Sequence, residues 1–333
     1  MAGGRSTIGN AAKRQEVFER EKALKKLKKR DLKRKRQKEL ARDGGSIGDA
    51  KEEEAKKPRT LESTREVEPT SVTKEHLDDV IGDEGDDEFA DLFVSGGTKA
   101  KIMISTRPRP SKELFSFIAD LMTLIPNSFF YPRREFSLKQ ICSFASNKKF
   151  THVIVLGEKN KTCNSLLLSH LPVGPTAYFK VSNVQCSSTV HQAGRKTDHA
   201  SEVILNNFST RLGRRVGRFL GSLFSHEPEF KGRQCVTFHT QRDYIFLRHH
   251  RYIFEENTKL LGSKDDGGKK KQQQSFPSGQ KNEPVMARLQ ELGPRFTLRL
   301  RWLQEGTFDL KHGEFEWFHR RKEMDSSRRK FHL

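Results

Sequence analysis

Near its start the chain carries a run that cannot build a core, KALKKLKKRDLKRKRQKELAR at residues 22–42. Leu24, Leu27 and Leu40 are too few to form a packed stripe against so many charges. The run predicts a solvated arm over residues 1–60, unfolded or helical, and its Lys/Arg density suits nucleic-acid contact and nuclear retention. Charge then reverses. Acidic residues dominate 52–91 and end in DEGDDEFADLF. These carboxylates sit in a Gly-rich stretch with nothing to fix their geometry, as metal chemistry requires. Residues 61–98 therefore read as an acidic linker, with Phe89, Leu92 and Phe93 free to dock on a partner or on the protein's own core. Together the two segments push the onset of packed structure to about residue 99.

The whole chain is basic, with 63 Lys and Arg against 43 Asp and Glu and a net charge of +20 over 333 residues. Clustered positive charge draws polyanions, and phosphate contact with counterion release supplies most non-specific nucleic-acid affinity. Only 33% of residues are hydrophobic, which fits one packed domain flanked by long polar segments. No apolar run approaches the roughly 20 residues that span a bilayer, and the N-terminus lacks the apolar core of a secretory signal. Cys142, Cys163, Cys186 and Cys235 are far apart with no CxxC pair, which suits a reducing compartment and excludes the usual structural zinc spacing.

Beyond residue 99 the pattern alternates strand and helix. Strands are expected at 101–106, 128–131, 151–156, 166–170, 176–184, 203–208, 234–240, 243–254 and 295–303. Helices are expected at 138–147, at 212–224, and after Ser111, a candidate N-cap, as far as Pro126. A polar low-complexity loop spans 256–288. An internal repeat emerges. Ser105-Thr106-Arg107 and Ser209-Thr210-Arg211 each precede a helix. Leu114, Ile118, Leu121, Met122 and Ile125 of the first helix match Leu212, Val216, Phe219, Leu220 and Leu223 of the second. Pro126 or Pro228 and then a strand follow each.

The second helix differs where function would lie. Arg211, Arg214, Arg215 and Arg218 form one basic face, where the first helix has Ser116, Phe117 and Asp120. Gly213, Gly217 and Gly221 form a strip that lets another backbone approach. The arginines are candidate phosphate contacts. Lys231, Arg233 and Arg242 flank the next strand. Arg248 and Arg251 interrupt a strand that holds Tyr244, Phe246, Tyr252 and Phe254. In the last strand Arg295, Arg299 and Arg301 alternate with Phe296, Leu298, Leu300 and Trp302, a core face against a charged one. Aromatics among basic residues can stack bases, but core packing is the simpler reading of most of them. No catalytic motif stands out. Cys235 and His239 share a strand face without a third partner, and Asp120, Asp198, Asp243 and Asp309 are isolated in sequence.

Four stretches resemble the Brix-domain family: SHLPVGPTAYFKV at 169–181, STRLGRRVGRFLGSLF at 209–224, FHTQRDYIFLRHHRYIF at 238–254 and ELGPRFTLRL at 291–300. The resemblance covers about 99–333. The ending MDSSRRKFHL resembles one branch of the family, which acts on the large ribosomal subunit. The resemblance implies an α/β (α+β) fold of two similar lobes and a role in maturing ribosomal RNA precursors. It also implies RNA contact along the arginine helix and the strands after it, a region likened to part of a bacterial sigma factor. A dedicated protein partner within a pre-ribosomal particle and a nucleolar location are implied as well.

The resulting expectation is a basic arm at 1–60, an acidic linker at 61–98, a duplicated domain at 99–320 with lobes at about 99–190 and 200–310, and a basic tail at 321–333. It has no catalytic residues, metal, cofactor or membrane contact. The rival readings are an RNA-processing nuclease and a protein scaffold whose basic tails serve localisation.

Overall fold

The computed structural model describes residues 18–20, 22–24, 26–28, 30–31, 60–66, 68–73, 77–94, 96–256, 285–308, 313–325 and 327–333. The chain forms two compact units, Met1–Thr60 and Leu61–Leu333. In the first unit the described residues between 18 and 31 are helical and exposed.

The second unit is built on one eleven-stranded sheet, ordered β2-β1-β3-β4-β5-β10-β8-β7-β6, with β9 on β8 and β11 on β10. In chain order the strands are β1 (Ile102–Thr106), β2 (Ser128–Phe130), β3 (His152–Lys159), β4 (Thr162–His170), β5 (Thr176–Gln185), β6 (Glu202–Asn206), β7 (Gln234–Gln241), β8 (Tyr244–Glu256), β9 (Val285–Glu291), β10 (Arg295–Gln304) and β11 (Phe315–Phe318). The helices are α1 (Leu77–Gly85), α2 (Ala90–Phe93), α3 (Lys112–Leu124), α4 (Leu138–Asn147), α5 (Arg211–Gly221) and α6 (Arg321–Met324).

The order carries the duplication. Read outward from the central antiparallel pair of β5 and β10, the series β5-β4-β3-β1 answers β10-β8-β7-β6. In each half a helix, α3 or α5, follows the first of two strands that pair in parallel, β1 with β3 and β6 with β7. The equivalence is shifted from the one expected. The strand after Pro126 is the short edge strand β2, so β7 corresponds to β3. Nor are the two Ser-Thr-Arg segments equivalent. Thr106 ends β1, whereas Thr210 caps α5, its Oγ1 accepting from the Gly213 N–H at 2.9 Å.

Both α3 and α5 pack on one face of the sheet. Ile104, Ile154, Phe179, Val236, Leu247 and Leu298 meet Leu114, Ile118, Val216 and Phe219 in a single core. Phe117 joins that core while Met122 is exposed, so the apolar stripe of α3 is rotated from its expected place. On the opposite face α4 covers only the first half, where Ile141, Cys142 and Ala145 pack on Met103, Val153 and Val155. A capping box of Ser137 and Gln140 starts that helix. Ser111 holds the N-cap position of α3, but its hydroxyl donates to Glu158 at 2.6 Å instead of capping.

Three segments expected to lie outside the packed domain belong to it. Phe89, within the supposed linker, is fully buried and stacks on Phe219 at 5.0 Å, with Leu92 buried beside it. A few large apolar anchors bury a segment whose average composition is polar. The supposed tail returns to the core: Leu333 is buried, Thr210 donates to the His332 carbonyl at 2.7 Å, and Asp243 accepts the backbone N–H groups of His332 and Leu333. Residues 285–288, assigned to the loop, open β9, which pairs along β8. The remainder of that loop, 257–284, lies outside the described residues.

Candidate nucleic-acid interface

Strand alternation decides what faces solvent in the second half of the sheet. In β7 and β8 the register pairs Val236 with His249, Phe238 with Leu247 and Thr240 with Ile245 on the core face. The alternate pairs, Cys235 with His250, Thr237 with Arg248, His239 with Phe246 and Gln241 with Tyr244, lie on the other face. Tyr252 and Phe254 continue that row, and Phe254 is 61% exposed. None of these four aromatics belongs to a core cluster, which corrects the core reading of most of them.

A bulge adds to this face. Leu300 pairs with Phe179, yet Trp302 pairs with Tyr178, leaving Arg301 as the extra residue of β10. The extra residue flips everything after it. Trp302, expected in the core, turns outward and stacks on Tyr178 at 5.5 Å with an interplanar angle of 16°, while Leu303 is buried.

Basic side chains interleave with these rings. Arg299 pairs across the sheet with Lys180. The register that joins Phe296 to Leu247 sets Arg295 beside Arg248. Like charges directly opposite one another are destabilising. Carboxylates relieve only one member of each pair: Asp325 meets Arg299 at 2.7 Å and Glu291 meets Arg295 at 3.1 Å. Arg248 donates to the Leu247 carbonyl at 3.2 Å, and neither it nor Lys180 meets a carboxylate among the described residues. Glu202, which accepts from the Tyr252 hydroxyl, adds negative charge at the β6 edge.

The other expected positions scatter. Arg251 alternates onto the core side with His249. Lys231 and Arg233 are exposed at the turn before β7, and Arg242 lies in the β7–β8 hairpin, about 25 Å away by the rise of the intervening strand. Arg301 sits in the bulge and bonds His319 at 3.1 Å.

The arginine face of α5 is not open, as the sequence reading had it. Arg214 holds Glu84 with two bonds, at 2.5 and 2.8 Å. Arg218 holds Asp87 at 2.6 and 2.8 Å and also donates to the Glu84 carbonyl. Arg215 is shared between Glu88 and Glu316, each at 2.8 Å. The bond from Arg215 holds the Glu88 carboxyl below its usual range despite burial. Burial works against the charge of Arg215, but its bonds to Glu316 and Glu88 outweigh that and raise its pKa. Helix α1 and the turn that follows it thus give the acidic stretch the fixed geometry it lacked in sequence. The glycine strip serves packing: a Cβ on Gly213 would lie 3.1 Å from the Leu333 backbone, and one on Gly217 would lie 3.3 Å from the Phe208 ring.

The rest of the polar inventory is structural. Asp120 accepts from the Ser187 N–H at 2.7 Å and pairs with Lys196, while Asp243 holds the C-terminal residues. Cys235 is buried, and burial raises its thiol pKa. Asp198 is exposed, and Asp309 lies outside the described residues. Among the described residues no group of three or more His, Cys, Asp or Glu side chains could hold a metal ion. No described helix is long and apolar enough to cross a membrane.

A sequence profile of the Brix domain matches residues 108–302, more than half of the chain. The chain belongs to the Brix-domain family. Among its relatives is Ribosome production factor 1 of Pongo abelii, 43% identical over 98% of this chain and 84% of the relative. Ribosome production factor 1 of Danio rerio is 46% identical over 83% of this chain and 75% of the relative. A crystal structure of a probable ribosomal biogenesis protein from Aeropyrum pernix K1 aligns at 14% identity with a TM-score of 0.40, over 60% of this chain and 96% of that one. The Brix span contains α5 and the open sheet face. The acidic segment that runs from α1 to α2, whose Glu84, Asp87 and Glu88 hold Arg214, Arg215 and Arg218, precedes it.

Tyr178 and Lys180 are surface residues of β5 that were not among the positions expected from sequence. Their signal was present in the alternation of Ala177, Phe179 and Val181 with Tyr178, Lys180 and Ser182.

Proposed function

We propose that this Brix-domain protein is a non-enzymatic, RNA-binding factor of ribosome biogenesis that holds precursor ribosomal RNA of the large subunit. Its work belongs in the nucleolus, within a pre-ribosomal particle and beside a protein partner. The names of its relatives support the ribosomal setting.

The observation that carries RNA contact is the pair of cross-strand cationic couples, Lys180 with Arg299 and Arg248 with Arg295, on the part of the sheet face that α4 leaves uncovered. An RNA backbone would relieve both couples, and the Tyr178–Trp302 stack, Phe246 and Tyr252 offer ring faces to unstacked bases. Phosphate contacts would fix the register, and no chemistry on the RNA is required of the protein.

Titration of the full chain with single-stranded RNA at several salt concentrations tests this reading. Lys180→Ala together with Arg248→Ala should weaken binding and flatten the slope of log K against log salt by roughly 0.7 for each phosphate contact removed. Unchanged affinity and slope in a folded variant would reject this face as the binding surface.

A further inference from the structure

The arginines of α5 are engaged in the way a guanidinium engages phosphate. Arg214 and Arg218 each present two donors to one carboxylate, and Arg215 bonds two carboxylates with two donors apiece. This planar fork matches the two oxygens of a carboxylate or the two non-bridging oxygens of a phosphodiester equally well. The carboxylates come from residues 84–88 of the same chain, with Glu316 added from β11.

The acidic segment is held unevenly. At its C-terminal end Phe89 is fully buried against Phe219 and Leu92 is buried as well. Ahead of α1, residues 70–72 are tied by backbone bonds to 209–211, Val72 to Ser209 at 2.9 Å and Arg211 to Thr70 at 3.0 Å. Between these anchors, α1 buries only Val80. Val80, Asp83, Glu84 and Asp87 face the four arginines across a cavity of about 190 Å³. Arg211 also lines it and makes no ion pair with a described residue. An arch fixed at both ends and held along its span by charge is suited to lifting without loss of the fold.

We propose that Glu84, Asp87 and Glu88 act as a displaceable stand-in for phosphate, an autoinhibitory strap that closes the arginine face of α5 until RNA phosphates replace it. This rests on the RNA-binding reading and adds a second, gated contact surface to the sheet face. The exchange substitutes one anion for another at each guanidinium, so RNA held by the sheet needs only local concentration to compete. The strap also discriminates. Isolated phosphates would meet arginines already satisfied, whereas a polyanion can replace several carboxylates at once.

The test uses the full chain and a fluorescein-labelled poly(U) RNA. In the variant Glu84→Gln, Asp87→Asn, Glu88→Gln the shape of the strap is kept and its charge removed. The expected result is about tenfold tighter binding than wild type. The salt slope should steepen by roughly 2, as three more phosphate contacts allow. Adding Arg214→Ala, Arg215→Ala and Arg218→Ala should abolish that gain, and a gain that persists would overturn the assignment to this helix. Equal affinity and slope in wild type and the neutralised variant would overturn the strap while leaving the sheet-face reading intact. If neither protein binds RNA, both readings fall together. Should the neutralised variant not fold, hydrogen exchange of the wild type decides. Amides of α1 should lose protection at saturating RNA, and unchanged protection with RNA bound would overturn the proposal.

Discussion

Gly82 of α1 and Gly213 of α5 lie in helices that touch, yet the same substitution should move stability in opposite directions. A Cβ on Gly82 meets nothing within 4 Å, so Gly82→Ala should stabilise by up to about 1 kcal/mol through helix propensity. A Cβ on Gly213 would press on Thr210 Oγ1 at 3.0 Å and on the Leu333 backbone at 3.1 Å. Gly213→Ala should therefore destabilise by roughly 1–2 kcal/mol, because overpacking against backbone outweighs the propensity gain. Thermal melts of the two variants check the sign. His249 gives a pH dependence. Burial depresses its pKa to about 4, although the bond to the Gly293 carbonyl opposes this. In the unfolded chain it titrates near 6.5, so between these values the unfolded state binds the extra proton. The stability His249 contributes is complete above pH 6.5 and is lost as pH falls towards 4, on the order of 3 kcal/mol across the window. Buried His152, depressed by burial and by His170, acts in the same sense. His249→Gln should flatten the decline measured by denaturant unfolding from pH 7 to pH 4.5; parallel curves would contradict this account.

At the scale of elements, the acidic segment is the sharpest case. Phe89→Ala should cost about 3–5 kcal/mol, the range for an aromatic removed from a core, which no linker residue would do. A shift below 1 kcal/mol in chemical denaturation would return the segment to the status of a linker. The strands and long helices were legible because their apolar residues repeat at periods of 2 and 3.6, as in Ala177–Phe179–Val181 and Leu114–Ile118–Leu121. The strap was not, since its anchoring contacts join residues more than a hundred positions apart and its charge dominates any local window. Trp302 was misplaced for a different reason: a one-residue bulge at Arg301 leaves no periodic trace, yet it reverses the faces of the strand beyond it. The arginine face of α5 was legible as a cluster and not as an occupied one, because sequence shows the cations and hides which anions fold onto them.

For the whole molecule, duplication followed by divergence explains where function can sit. The two halves share a core on one side of the sheet, built from α3 and α5. On the other side α4 covers the first half, and the second half has no such cover among the described residues. The uncovered face of the second half, with β5 beside it, gathers Lys180, Arg248, Arg295 and Arg299 with Tyr178, Trp302, Phe246 and Tyr252. The central claim is that this face holds RNA, and ultraviolet crosslinking of the full chain to precursor ribosomal RNA, with the attached residues located by mass spectrometry, tests it most directly. The account predicts crosslinks on β5, β8 and β10, at or next to Tyr178, Phe246, Tyr252 and Trp302. Crosslinks confined to residues 1–60, with none on the sheet, would contradict it.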